Sequence, residues 1–285
     1  MRGGIFYHLL VFICVAGAAC AQGELLPRSP AANGHVNDKT VLVVEFREKA
    51  PAGSKLADAI LHGKRESGAL ESVLVADERA LEKLLESREK GNTGMVVLIH
   101  PQDMEALDKL LPLYPDVYFT LIDAPQLSYA MNAQNVQFKE DSGVFILGAI
   151  AAIRSSGRVT VMAMEEDVYS RSMADNFIAG AKHIRPNIEV NTMLRMRPSA
   201  TQHTRLASAI ATAFTEGAAV LFSMDDEIIE HALRAAKLER KMVISGNPPT
   251  SAMDTSRLLT FLVKRYDLAL LDVLRIYNHN QWHAG

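Results

Sequence analysis

The sequence predicts an α/β protein of two lobes, each a parallel sheet wound with helices. Three observations carry that expectation. From Thr40 onwards, apolar runs of strand length recur, and they are continuous rather than alternating, as in "TVLVVEF" and "GMVVLIH". A strand covered on both faces needs that composition, and parallel sheets are covered on both faces. Segments with helical spacing separate these runs, so the chain reads as about eight β/α units, more than one open sheet of this kind needs. The rhythm then breaks across 124–140, beginning with "APQLSYAMNAQNVQ", which marks a crossover between lobes.

The N-terminus reads as an export signal over residues 1–21. Arg2 precedes the apolar stretch 5–19, "IFYHLLVFICVAGAA", and small residues follow. Two processing routes stay open: ordinary cleavage after Ala21, or cleavage before Cys20 with lipidation of its thiol. Gly17 stands where a lipoprotein signal usually carries leucine. Residues 22–39, with Pro27, Pro30, Asn33 and Gly34, read as a flexible tether.

The N-terminal lobe is expected over 40–124. It runs strand 40–46, helix 54–67 capped by Ser54, strand 70–76, a helix capped by Asp77, strand 94–100, a helix opening at Pro101, and strand 116–123. The crossover and C-terminal lobe are expected over 125–285. They open with "FKEDSGVFILGAIAAI" (138–153), apolar on every side and too short to span a bilayer. It is expected to be wholly buried, capped by Asp141 or Ser142, with Gly143, Gly148 and its alanines admitting close neighbours. Strands follow at 158–164, 188–196, 218–224, 242–246 and 257–263. Helices lie between them, and a last one falls within 264–278.

Composition excludes several functions. With 285 residues, 48% of them hydrophobic, the chain can build a substantial core. The net charge of −3 is spread without a basic patch, so no nucleic-acid partner is expected. Both cysteines, Cys14 and Cys20, precede the folded body, which excludes disulfides, thiolate metal sites and a nucleophilic cysteine there. Neither a phosphate-binding glycine loop, a nucleophile elbow nor a paired-histidine metal motif occurs. No enzyme activity, cofactor or metal is therefore expected. Asp225, Asp226 and Glu227 are consecutive at a helix start and point in different directions.

Open α/β sheets bind ligands at the carboxyl ends of their strands. That rule selects Phe46, His100, Asp123, Met164, Ser223 and Asn247. Several have a second reading. Asp225 either faces a ligand or caps a helix, His100 either binds or ends a strand, and Phe138 either stacks on a flat ring or packs beneath the crossover. Lys264 follows a strand and opens an amphipathic helix.

Four blocks, "FKEDSGVFILGAIAAI", "DNFIAGAKHIRPNIEV", "EGAAVLFSM" and "LLTFLVKRYDLALLDVLR", stand in an order that resembles the basic membrane protein (PnrA-like) family. These are substrate-binding lipoproteins of ABC importers, and the resemblance runs from Thr40 to the C-terminus. It implies a two-lobed periplasmic-binding-protein fold of type I and a small-molecule ligand held between the lobes, with purine nucleosides or riboflavin as candidates. It also implies an ABC permease as partner and a location on the periplasmic face of the cell membrane. Lys264 of "LVKRYD" matches a lysine that contacts the sugar in nucleoside binders. Asn247 of "SGN" stands where such binders carry a ribose-binding aspartate. "SMDDE" replaces a glycine-rich turn, and "FREKAPAGSKLAD" lacks the matching aromatic. The alternative is a surface lipoprotein whose ligand site has decayed and which acts in adhesion or sensing. The family usually continues further, so a C-terminal return segment is expected to be missing.

Overall fold

The computed structural model describes residues 13–14, 39–46, 59–63, 69–88, 91–155, 157–164, 168–195, 203–250 and 252–284. The expected export signal, tether and Cys20 anchor, and the Ser54 cap, lie outside these residues. The exception is Ile13–Cys14 (β1), which pairs in parallel with Leu262–Val263, so Cys14 lies in a sheet rather than ahead of the folded body as expected. No helix among the described residues is long and apolar enough to cross a membrane.

Contacts divide the chain into two units. The first comprises Ala16–Phe138 and Lys264–Gly285; the second comprises Met1–Val15 and Lys139–Val263. The expected boundary at 124/125 differs from this division in two places. Residues 125–138 group with the first unit, and so does the segment from Lys264 onwards. The reason is packing: Tyr266, Leu270, Val273, Leu274 and Tyr277 lie in one core cluster with Val41, Val43, Met95 and Val97.

The first unit holds strands Thr40–Phe46 (β2), Leu70–Val75 (β3), Thr93–Ile99 (β4), Tyr118–Ile122 (β5) and Ala133–Val136 (β6), all parallel in the order β3-β2-β4-β5-β6. Every residue of β4 is buried, which accounts for its unbroken apolar run. Alternate side chains go to opposite faces of the sheet. Leu42, Val44, Val96 and Leu98 meet Leu81 and Leu85 of helix α1 (Glu78–Glu86) and Leu107 of helix α2 (Met104–Leu110). Val41, Val43, Met95 and Val97 meet the last helix, α7 (Tyr266–Asn278). Trp282, the chain's single tryptophan, lies 4.4 Å from Tyr118 between ring centroids and donates its indole N–H to Thr120 Oγ1 at 3.0 Å.

Two details of this unit differ from the sequence expectation. Helix α2 starts at Met104 rather than at Pro101, because the Asp103 carboxylate accepts from Ala106 N at 3.0 Å and so sets the first turn. Residues 124–140 contain a strand, β6, on the sheet edge. Its sequence, Ala-Gln-Asn-Val, is short and polar because an edge strand is half covered.

The second unit holds β7 (Arg158–Met164), β8 (Glu189–Arg195), β9 (Val220–Ser223), β10 (Met242–Ser245) and β11 (Leu258–Val263), in the order β1-β11-β10-β9-β7-β8. Helices α3 (Glu140–Arg154) and α4 (Val168–Ile184) cover one face, while α5 (His203–Thr215) and α6 (Asp226–Glu239) cover the other. Helix α3 corrects two expectations. It begins at Glu140 with no side-chain cap, and Glu140 and Asp141 instead face the positive end of its dipole. Nor is it buried all round, since Ile146 is 42% exposed and Ile153 64%. Its apolar character reflects a tight inner face. A Cβ on Gly148 would stand 2.0 Å from the Phe177 carbonyl oxygen, and one on Gly180 would stand 1.8 Å from that of Phe145. Each glycine admits the backbone of the other helix.

Candidate functional site

Setting aside the two-residue edge strand β1, both sheets share one order: the first strand sits between the second and third, so the winding direction reverses beside it. Ligands of such sheets bind at the carboxyl ends of the strands flanking that reversal. In the first unit those strands are β2 and β4; in the second they are β7 and β9.

In the first unit the strand ends assemble a compact polar cluster. His100 follows β4 and Asp123 follows β5, each with a left-handed backbone, at φ 52° and 61° respectively. Histidine and aspartate enter this region more readily than most side chains, and non-glycine residues held there gather at functional sites. Their backbone amides stay in the ladder, His100 N–H donating to Ile122 O and Asp123 N–H to Val136 O, both at 2.8 Å.

Asp123 is the hub. Its side chain is 8% exposed. Lys264 Nζ donates to its two carboxylate oxygens at 3.2 and 3.0 Å. The Tyr266 hydroxyl donates to Oδ2. His100 Nδ1 lies 3.1 Å from both Oδ2 and the Asp123 carbonyl oxygen. Burial works against the charged carboxylate. The His100 hydrogen bond, the Lys264 charge and the Tyr266 hydroxyl outweigh it, holding the Asp123 carboxyl below its ordinary value. Phe138 packs edge-on against Tyr266, with ring centroids 5.0 Å apart. It also belongs with the residues around the α7 core. Glu45, next to last in β2, is half-buried, and burial raises its carboxyl.

Three of the residues selected from sequence, His100, Asp123 and Lys264, thus converge. Tyr266 joins them and was not foreseen. Its signal is positional: it opens α7 two residues after Lys264, so its ring reaches the same carboxylate. Phe46 does not converge; at 4% exposure it fills the core with Leu42, Val44 and Leu81.

Ser223, Asp225 and Asn247 lie in the second unit, at the ends of β9 and β10. Their groups largely serve one another. Ser223 Oγ accepts from Asp225 N at 3.1 Å, and the Asp225 carboxylate caps α6 by accepting from Ile228 N at 3.0 Å. The Asn247 amide donates to Met224 O at 2.8 Å and Asp226 Oδ1 at 3.2 Å. An aspartate at 247 would lose both donations and place a second carboxylate beside Asp226. Met224 fills the space over Gly246, where an added Cβ would stand 1.9 Å from its sulfur. Among the described residues no group of acidic, histidine or cysteine side chains is arranged to hold a metal ion.

Two parallel-sheet units of this order define the type I periplasmic-binding-protein class. Three solved structures share the fold. One is a transcriptional activator of the comK gene from Bacillus halodurans, with TM-score 0.65, 16% identity, and coverage of 86% of this chain and 84% of that one. A second is an ABC transporter solute-binding protein from Aeropyrum pernix K1, with TM-score 0.60, 16% identity and coverage of 86% and 72%. The third is an ABC transporter solute-binding protein from Conexibacter woesei, with TM-score 0.59, 15% identity and coverage of 86% and 82%. No curated protein matched the chain. Residues 38–285 match the family described as ABC transporter substrate-binding protein, PnrA-like, and the chain belongs to that family.

Proposed function

We propose that this protein captures a small, flat, polar solute of nucleoside-like or flavin-like kind at the strand ends of its first unit and hands it to an ABC permease. The observation that supports this most is the cluster of Asp123, His100, Lys264 and Tyr266. It combines a buried carboxylate, three converging donors and two left-handed residues at the ligand-binding end of a doubly wound sheet. Binding without turnover accords with the family. Mass spectrometry of compounds released on denaturing the purified protein tests the reading. A nucleoside or flavin in stoichiometric amount supports it, whereas an empty protein that binds neither in titration counts against it. Lys264→Ala should weaken solute binding tenfold to hundredfold, about 1.5–3 kcal/mol, because a charge-assisted hydrogen bond is lost. Calorimetric titration reads this, and equal affinity removes Lys264 from the site.

One observation favours a second reading, a surface lipoprotein with a decayed site acting in adhesion or sensing. The strand-end groups of the second unit are occupied by one another, Asn247 with Met224 and Asp226, Ser223 with Asp225. Under either reading the protein is exported and anchored through Cys20, and the cleavage before Cys20 would remove β1 from the mature chain. Growth with labelled palmitate should label the wild type and leave Cys20→Ser unlabelled. Equal labelling, or none in the wild type, rejects the anchor.

A further inference from the structure

We infer that His100 sets the specificity of the site by presenting its Nε2 as a hydrogen-bond acceptor, so that the bound solute must offer a ring N–H. This rests on the reading that the strand ends of the first unit form the solute site. The argument begins with Nδ1. Both groups within hydrogen-bond distance of it, the Asp123 carbonyl oxygen and Oδ2, are 3.1 Å away. A carbonyl oxygen can only accept, and so can an ionised carboxylate. Nδ1 therefore carries the proton. In the neutral ring the lone pair then sits on Nε2, because the bond made by one nitrogen fixes the state of the other.

Asp123 is the positioning residue of this arrangement. Lys264 and Tyr266 also donate to it, so its oxygens face inward to protein donors. The Asp123 carboxylate is thus engaged by protein donors rather than offered to a solute. The imidazole is the more accessible of the two groups, its side chain 34% exposed where Asp123 is 8% exposed. Nε2 has no hydrogen bond among the described residues. The ring cannot swing away easily. Its backbone is held at φ 52°, and the His100 carbonyl oxygen accepts from Gln102 Nε2 at 3.3 Å. An acceptor fixed in this way rejects a ligand that lacks the matching donor more strongly than a mobile one would.

Two readouts test the assignment. In the ligand-free protein, long-range proton–nitrogen correlation spectra of the neutral His100 ring should show the proton on Nδ1. A proton on Nε2 overturns the proposal without any ligand being needed. For binding, inosine and riboflavin are compared with 1-methylinosine and 3-methylriboflavin, in which a methyl group replaces one ring N–H. The wild type should bind at least one parent and lose tenfold or more on its methylation. His100→Asn, chosen because asparagine tolerates the left-handed backbone, should bind that parent about tenfold more weakly and no longer distinguish it from the methylated form. Equal binding of parent and methylated probe by the wild type, or discrimination that survives in His100→Asn, overturns the role of His100. Binding of neither parent overturns the ring N–H requirement. Lys264→Ala separates the two levels. If it binds the parent as tightly as the wild type, the site itself is elsewhere. If it binds more weakly while methylation has no effect, only the assignment to His100 fails.

Discussion

Gly180→Leu is expected to destabilise the second unit by about 3 kcal/mol or more, and Gly148→Leu by a similar amount. Overpacking a close-packed contact costs roughly 1–3 kcal/mol when side chains can shift aside. Here they cannot, because the atoms in the way are backbone. An added Cβ at 180 meets the Phe145 carbonyl oxygen at 1.8 Å, and one at 148 meets the Phe177 carbonyl oxygen at 2.0 Å. Relief requires α3 and α4 to move apart. That would open the core around Phe177, which is fully buried and stacks on Phe222 with ring centroids 4.3 Å apart. Urea unfolding measures the effect. Ile153→Ala, on the 64% exposed side of α3, serves as control and should stay within about 0.5 kcal/mol of the wild type. Midpoints for the glycine variants that match the control would show that the helices do not meet at these residues.

Asp123→Asn is expected to cost about 2–3 kcal/mol at neutral pH. The amide keeps the shape but removes the charge that Lys264 and the surrounding donors serve. Breaking a fully buried pair costs ~3–5 kcal/mol, and the figure is reduced here because Lys264 keeps 22% of its exposure. The pH dependence has a definite sign. The folded-state pKa of Asp123 lies below its ordinary value, so the carboxylate contributes its full stabilisation above the unfolded value of about 3.9. That contribution is lost as pH falls through the depressed folded value. The gap between wild type and variant should therefore be widest near pH 7 and close in strongly acidic solution. Glu45, raised by burial, shifts in the opposite direction but is present in both proteins and cancels. Urea titrations at several pH values give the comparison. A gap independent of pH, or absent at pH 7, would show that the carboxylate is not the hub of the cluster.

Much of the architecture was legible in the sequence, and for a local reason. A strand buried on both faces must be apolar throughout, so "TVLVVEF" and "GMVVLIH" declare a parallel sheet before any contact is known. Helix caps are equally local. Asp77 and Asp225 each accept from a backbone amide three residues on, a distance visible along the chain. The rule that strand ends carry ligands then named His100 and Asp123 individually.

What the sequence by itself determined, then, is the β/α alternation, the strand ends that could bear a site, and the resemblance that the family match bears out over residues 38–285. Tertiary structure alone decided which of those ends come together. Lys264 is 141 residues from Asp123 and Tyr266 is 143, and no periodicity reports contacts at such separations. The helix at 140–154 shows the same limit in another form. Its apolar residues announce a buried surface, but only the placement of α4 decides that the glycine face is inside and Ile146 and Ile153 outside. The physical reason is common to both cases. Burial and capping depend on near neighbours in the chain, whereas a buried carboxylate finds its donors, and a glycine its facing carbonyl, only after distant segments have packed.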